Sequence, residues 1–216
     1  MLRSSYSKMI GKFITFEGID GCGKSTQARL LYEKINSSKT ESLLTREPGG
    51  SEGAEEIRAL LVTGDRNRWS PETEILLFTA ARRDHIEKTI LPAINSNKTV
   101  ISDRFFDSTR VYQGAAGTYR LNLVESLHKL VVDIVPDLTF IIDMDPEVAL
   151  ERGLARKTGE DRFEDFGLPF QKSLRKAFVD LAAADNKRCI LIDGNNSKSN
   201  IEKQIYSIYL AHFDGE

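Results

Sequence analysis

The sequence predicts an α/β domain, a doubly wound five-stranded parallel sheet flanked by helices. Three observations carry that prediction. Five short runs, Lys12–Glu17, Ser42–Thr45, Thr99–Ser102, Leu138–Asp143 and Arg188–Asp193, are rich in apolar and β-branched residues. Most are continuous rather than alternating, as expected of strands covered on both faces of a parallel sheet. Helical patterns separate them, giving the strand–helix alternation of doubly wound folds. The first run also leads straight into a glycine-rich turn ending in Lys-Ser-Thr, at the start of a helical segment.

Each helical segment has its own signal. Ser25–Ile35 follows the glycine-rich turn. Pro71–Asn95 opens with proline and glutamates, a good helix start, and carries Ile75, Phe78, Ile86, Ile90 and Ile94. Pro92 should end or bend it. Leu121–Val135, Pro146–Lys157, Pro169–Asp185 and Ile201–Phe213 complete the set. Residues 1–11 read as a disordered tail, with a short transit segment as the alternative. Residues 12–216 read as one domain without repeat, low-complexity linker or internal boundary.

Composition narrows the function. The 216 residues are 40% hydrophobic and 29% charged, with net charge −2. That balance suits one globular domain and argues against broad binding to nucleic acid or anionic membrane. No apolar run approaches the ~20 residues of a membrane span. Two cysteines, Cys22 and Cys189, show no metal-ligand spacing, so a reduced cytoplasmic protein is expected. His85, His128 and His212 lie far apart and read as surface or packing residues.

The turn is Gly18-Ile19-Asp20-Gly21-Cys22-Gly23-Lys24-Ser25-Thr26, with the spacing G-x-x-x-x-G-K-S between a strand and a helix. Its glycines let backbone N–H groups converge on phosphate oxygens, and the helix adds its positive N-terminal end. Lys24 would neutralise β/γ-phosphate charge, Ser25 would ligand Mg²⁺, and Cys22 need only be small. A glycine-rich turn without a ligand is the alternative. The loop implies ATP·Mg²⁺ or a related nucleotide, but not the reaction. A guanine reader of the form N-K-x-D is absent: Asn97-Lys98-Thr99-Val100 and Asn186-Lys187-Arg188-Cys189 come nearest, and neither ends in aspartate.

Three further stretches point to a second anionic substrate. Thr45–Gly50, TREPGG, places Arg46 at the carboxyl end of the second strand, where ligands gather in open α/β sheets. Ile101–Gly114, ISDRFFDSTRVYQG, delivers Asp103 and Arg104 to the end of the third. Asp103 is placed to hold Mg²⁺, and Arg104 offers a planar fork for phosphate. A structural Asp103–Arg104 ion pair is the alternative. Ser108, Thr109, Tyr112 and Gln113 follow as hydrogen-bonding side chains. Phe78 and Arg82 in FTAARR lie four apart on one helix face, suited to stacking a base and donating to its carbonyl edge. Core packing and solvation are the ordinary alternatives for that pair.

From Phe13 to Phe213 the chain resembles the thymidylate kinases, a P-loop nucleoside monophosphate kinase family. The marks are Asp-Arg-aromatic, then Ser-Thr and Tyr-Gln, with TREPGG and FxAxR. The resemblance implies a P-loop NTPase fold with a mobile lid, transfer of phosphate from ATP·Mg²⁺ to dTMP, and a homodimer. It assigns Phe78 to stacking on thymine, Arg82 to the O4 carbonyl, Thr109 to the N3 edge and Tyr112 to the sugar. Arg46 and Arg104 become the clamp on the dTMP phosphate, and Asp103 part of the Mg²⁺ network. Asp20, repelled by phosphate, would accept from the 3′-hydroxyl of the acceptor sugar. No arginine stands inside the phosphate loop, so the lid, about residues 150–165, would supply it. Arg156 is the first candidate and Arg152 the second, with Lys157 and Arg162 nearby. A kinase for another nucleoside or monophosphate and a non-enzymatic ATP-binding regulator are the competing readings.

Overall fold

The computed structural model describes residues 11–38, 40–65, 68–114, 118–155 and 167–213. Five strands, β1 (Phe13–Glu17), β2 (Ser42–Arg46), β3 (Thr99–Asp103), β4 (Leu138–Asp143) and β5 (Cys189–Asp193), form one sheet in the order β2-β3-β1-β4-β5. Every pairing is parallel. The expected strands are therefore all present, with ends moved by a residue at most. Alternation within β1 puts Ile14 and Phe16 on one face and Phe13 on the other. Each face is sealed by its own apolar cluster, which is why the strands read as unbroken apolar runs.

Around the sheet lie α1 (Lys24–Ser37), α2 (Glu52–Val62), α3 (Pro71–His85), α4 (Leu91–Asn95), α5 (Phe106–Tyr112), α6 (Thr118–Val131), α7 (Pro146–Leu154), α8 (Gly167–Ala184) and α9 (Lys198–Phe213). Two were not foreseen. Helix α2 buries only Ala54 and Leu61, too sparse a stripe to show as a period. Helix α5 has seven residues, and its Ser108 and Thr109 read as loop.

The long segment expected over Pro71–Asn95 is helical throughout but divided. A π-helical turn at Ile86–Ile90 joins α3 to α4, and Pro92 sits in the first turn of α4. Proline lacks the N–H that would bond back four residues, and widening the preceding turn accommodates the ring. Ile86, Ile90 and Ile94 are all buried in the core, so they form no part of an outer face. The helix expected to run to Lys157 ends at Leu154, capped by Ala155.

The glycine-rich turn is tied to α7 by a close approach. Gly21 has φ +82°, and a Cβ there would lie 1.8 Å from the Ala149 carbonyl oxygen. Gly23 has φ +97° with open space around it. Gly23→Ala should therefore cost only the left-handed penalty, about 1–2 kcal/mol, whereas Gly21→Ala adds a backbone clash and should cost clearly more. Urea unfolding of the two variants tests this; equal losses would rule out the Ala149 contact as the constraint on the loop.

Candidate active site

Strands β1, β2 and β3 end side by side, and parallel sheets collect ligands at such carboxyl ends. One cleft there is lined by Asp20, Lys24, Ser25, Arg46, Phe78, Arg82, Asp103, Arg104, Ser108, Thr109, Tyr112 and Gln113. Phosphate-loop residues and all the expected acceptor residues thus meet in one space. Gly18, Ile19, Gly21, Cys22, Gly23 and Thr26 supply the loop beside it. Cys22 is buried, and burial pushes its thiol up, consistent with a residue that need only be small.

The centre of the cleft is an ion pair. Arg104 Nη2 donates to Asp20 Oδ1 at 2.6 Å, and Lys24 Nζ reaches the same oxygen at 3.3 Å. The Tyr112 hydroxyl donates to Asp20 Oδ2 at 2.9 Å. Burial pushes the Asp20 carboxyl up, but Arg104, Lys24 and Tyr112 outweigh it and hold it well below the ordinary 3.8. Asp20 is thus anionic, and its partners come from both the phosphate loop and the acceptor side. Burial opposes the Arg104 charge as well, yet Asp20 together with Tyr112, Glu17 and Asp103 outweighs it and holds the guanidinium above its ordinary value.

Arg104 is held in the left-handed region, φ +69°, which a non-glycine residue adopts only when its surroundings fix it. Its N–H donates to the Phe16 carbonyl at 2.9 Å, and its carbonyl accepts from Ser102 Oγ at 2.7 Å. Glu17 Oε1 accepts from the next N–H, Phe105, at 2.8 Å. Glu17 Oε2 accepts from Ser108, whose hydroxyl in turn accepts from Arg104 Nη1 at 2.7 Å. Ser108 is therefore committed to protein partners, which makes it a support of Arg104 more than a free donor. The alternative Asp103–Arg104 ion pair does not form among the described residues; Arg104 pairs with Asp20. Asp103 Oδ1 is buried without a hydrogen-bond partner, an orphan acceptor suited to a cation or its water.

On the acceptor side, Arg46 is half exposed and pairs with Glu55 at 3.0 Å. Arg82 is buried, donating through Nε to Glu47 Oε2 at 2.7 Å and through Nη2 to Thr109 Oγ1 at 2.9 Å. Arg152 is exposed on α7, its Nη1 3.4 Å from Met144 Sδ, and it does not line the cleft. Arg156, Lys157 and Arg162 lie outside the described residues.

Sequence reasoning missed Glu17, Glu47, His85, Arg58 and Phe105. Arg58 and Phe105 line the cleft. His85, read as surface or packing, is fully buried, bonded to Glu47 and Thr45. His128 does pack, stacking on Phe106, and burial pulls it down to about 4. Position gave a usable signal for the glutamates: a carboxylate ending an apolar strand (Glu17) or standing between Arg46 and Pro48 needs a buried partner.

A phosphate loop on a parallel sheet, facing a second set of arginines, defines a nucleotide-binding α/β phosphotransferase. Comparison with known proteins narrows this class. The thymidylate kinase family model matches residues 16–205. The thymidylate kinase of Dinoroseobacter shibae is 60% identical over 195 residues, covering 90% of this chain and 94% of that protein. That of Ruegeria pomeroyi is 53% identical over 204 residues, covering 94% and 97%. The crystal structure of thymidylate kinase from Ehrlichia chaffeensis superposes with a TM-score of 0.73 at 35% identity, covering 92% of this chain and 98% of that one. The chain belongs to the thymidylate kinase family and is an enzyme of that type.

Glu17 gives the site a measurable pH signature. Burial, with the charge of Asp107 adding to it, pushes its carboxyl from 4.5 up to about 8. Between those values the folded chain binds more of this proton than the unfolded chain. The contribution of Glu17 to stability is complete below the unfolded value and lost as pH rises through the folded one. Glu17→Gln cannot titrate, so the stability of this variant relative to wild type should increase from pH 5 to 8.5. Thermal melts across that range test it; a constant difference would exclude a raised Glu17.

Proposed function

We propose that this protein transfers the γ-phosphoryl group of ATP to dTMP, forming dTDP. The observation that carries this reading is the bonded set Asp20–Arg104–Tyr112, which joins the phosphate loop to the acceptor pocket in one cleft. ATP phosphates would lie along Gly18–Thr26, with Lys24 at the β/γ oxygens. The acceptor phosphate would meet Arg46 and Arg104, its base Phe78, Arg82 and Thr109, and its sugar Tyr112 and Asp20, with Gln113 completing the wall. Ser25 and Asp103 fit a magnesium ion, as the orphan Asp103 oxygen supports; when bound, it would offset charge on the phosphate oxygens.

The attacking phosphate oxygen is already anionic, so no strong general base is required. The work of the side chains is positioning and charge neutralisation. Arg104 already donates to Gly18, Ser108, Asp20 and Tyr112, so its plane is set before an anion arrives. Arg152 and Arg156, from α7 and the segment after it, would complete the charge at the transferring group and help close the site. The same reading makes the protein a cytoplasmic homodimer. Free buried thiols at Cys22 and Cys189 suit a reducing compartment, and exposed Leu76 on α3 and Leu130 on α6 suit a subunit contact.

The test is ADP release from ATP·Mg²⁺ with dTMP, dUMP, dCMP, dGMP and AMP offered in turn. dTMP should turn over best, dUMP less well and the others little. Another preferred monophosphate would overturn Phe78, Arg82 and Thr109 as thymine readers, and no turnover with any acceptor would favour a nucleotide-binding regulator. Arg104→Ala should lower turnover by about 10²-fold or more without loss of the fold. Asp20→Asn should weaken preference for dTMP over its 3′-deoxy analogue; undiminished preference would remove Asp20 from the sugar.

A further inference from the structure

Arg82 is held at two of its three guanidinium nitrogens by Glu47 and Thr109, which line the cleft with it, and Glu47 is itself held from behind by His85. Glu47 opens the turn after β2 and is 5% exposed; Arg82 on α3 is 4% exposed, and His85, one turn further along, is fully buried. Glu47 Oε2 takes Arg82 Nε at 2.7 Å. Its other oxygen lies 3.1 Å from His85 Nδ1, and His85 Nε2 lies 2.7 Å from Thr45 Oγ1. The relay Thr45–His85–Glu47–Arg82–Thr109 thus crosses from β2 through α3 to α5. No space is left for it to shift: a Cβ on Gly50 would lie 2.3 Å from His85 Nε2 and 2.5 Å from Thr45 Oγ1.

We infer that Glu47, braced by His85, is a positioning residue that sets acceptor-base selectivity by aiming Arg82. The inference rests on Arg82 as base reader. A guanidinium held at Nε and at Nη2 has a fixed plane. Its remaining corner, Nη1, has no partner among the described residues, while Arg82 lines the cleft. That corner can only donate, so it accepts a carbonyl edge and rejects an amino group in the same place. A neutral base cannot offset a buried cation, so the carboxylate must be the protein's own. Discrimination between a 4-carbonyl and a 4-amino pyrimidine therefore depends on Glu47 holding the plane still.

The test uses Glu47→Gln, which keeps the shape and removes the charge. KM for dTMP should rise about tenfold or more, as expected for a lost charged hydrogen bond. The ratio of kcat/KM for dTMP over dCMP should fall by a similar factor. KM for ATP should stay within about threefold of wild type. In an Arg82→Gln background, Glu47→Gln should add no further loss of that ratio. An unchanged dTMP:dCMP ratio in Glu47→Gln, or additive losses in the double variant, would reduce Glu47 to a structural residue. Arg82→Gln alone separates the two layers: if it leaves the ratio unchanged, the base-reader assignment fails rather than the positioning. Should Glu47→Gln not fold, His85→Gln keeps a nitrogen toward Thr45 and withdraws support from Glu47. It should lower the same ratio, and an unchanged ratio would equally overturn the proposal.

Discussion

The Asp20–Arg104 pair is the contact on which the rest of the site depends. Its two members come from different β-strand ends, the turn after β1 and the end of β3. Partly buried charges are costly to bring together unless geometry and further hydrogen bonds compensate. Here Lys24, Tyr112, Ser108 and the Gly18 carbonyl supply those bonds. The pair therefore links the donor loop to the acceptor elements. An aspartate inside a phosphate loop would be repulsive in isolation; paired with Arg104, its charge is compensated.

Support for that pair comes from the strand beneath it. Alternation along β1 turns Glu17 to the same face as Phe13, and the Phe13 ring packs edge-on against Phe105 at 4.9 Å. That packing holds Phe105 where its N–H meets Glu17, which steadies the left-handed Arg104. A packing contact, a buried carboxylate and a strained backbone are thus one device. Strain of this kind persists only where neighbours over-determine it.

Much of this was legible in the sequence, and what was hidden had physical causes. The three inner strands β1, β3 and β4 could be read because burial on both faces leaves little polar alternation, whereas the edge strands β2 and β5 are only partly buried and show through their apolar and β-branched residues. The phosphate loop, Asp103–Arg104 and Phe78–Arg82 could be read because their spacing carries chemistry. Helix α2 escaped because its buried stripe is thin, and α5 because Ser108 and Thr109 favour caps and turns as readily as helix. Glu17, Glu47 and His85 escaped for a deeper reason. Their partners lie 88, 35 and 38 positions away in the chain. Position hints that the two glutamates are buried, but nothing local names the distant partner that each one supports. Ser108 shows the converse: its type and position suggested substrate contact, and only the geometry shows it engaged by Glu17 and Arg104.

The two carboxylate-paired arginines of the cleft, Arg104 part-buried and Arg82 buried, differ in their surroundings. Arg104, proposed to meet the acceptor phosphate, has Asp20 as its carboxylate partner, which stands in the cleft with its side chain 27% exposed. Water and substrate can therefore rearrange around that pair. Arg82, proposed to meet a neutral base that carries no charge to replace its partner, pairs with Glu47, which is only 3% exposed at its side chain. A guanidinium that must discriminate by geometry is walled in, whereas one that must follow charge is left reachable. Exposure of the partnering carboxylate, more than the arginines themselves, thus separates the proposed phosphate end of the cleft from its proposed base end.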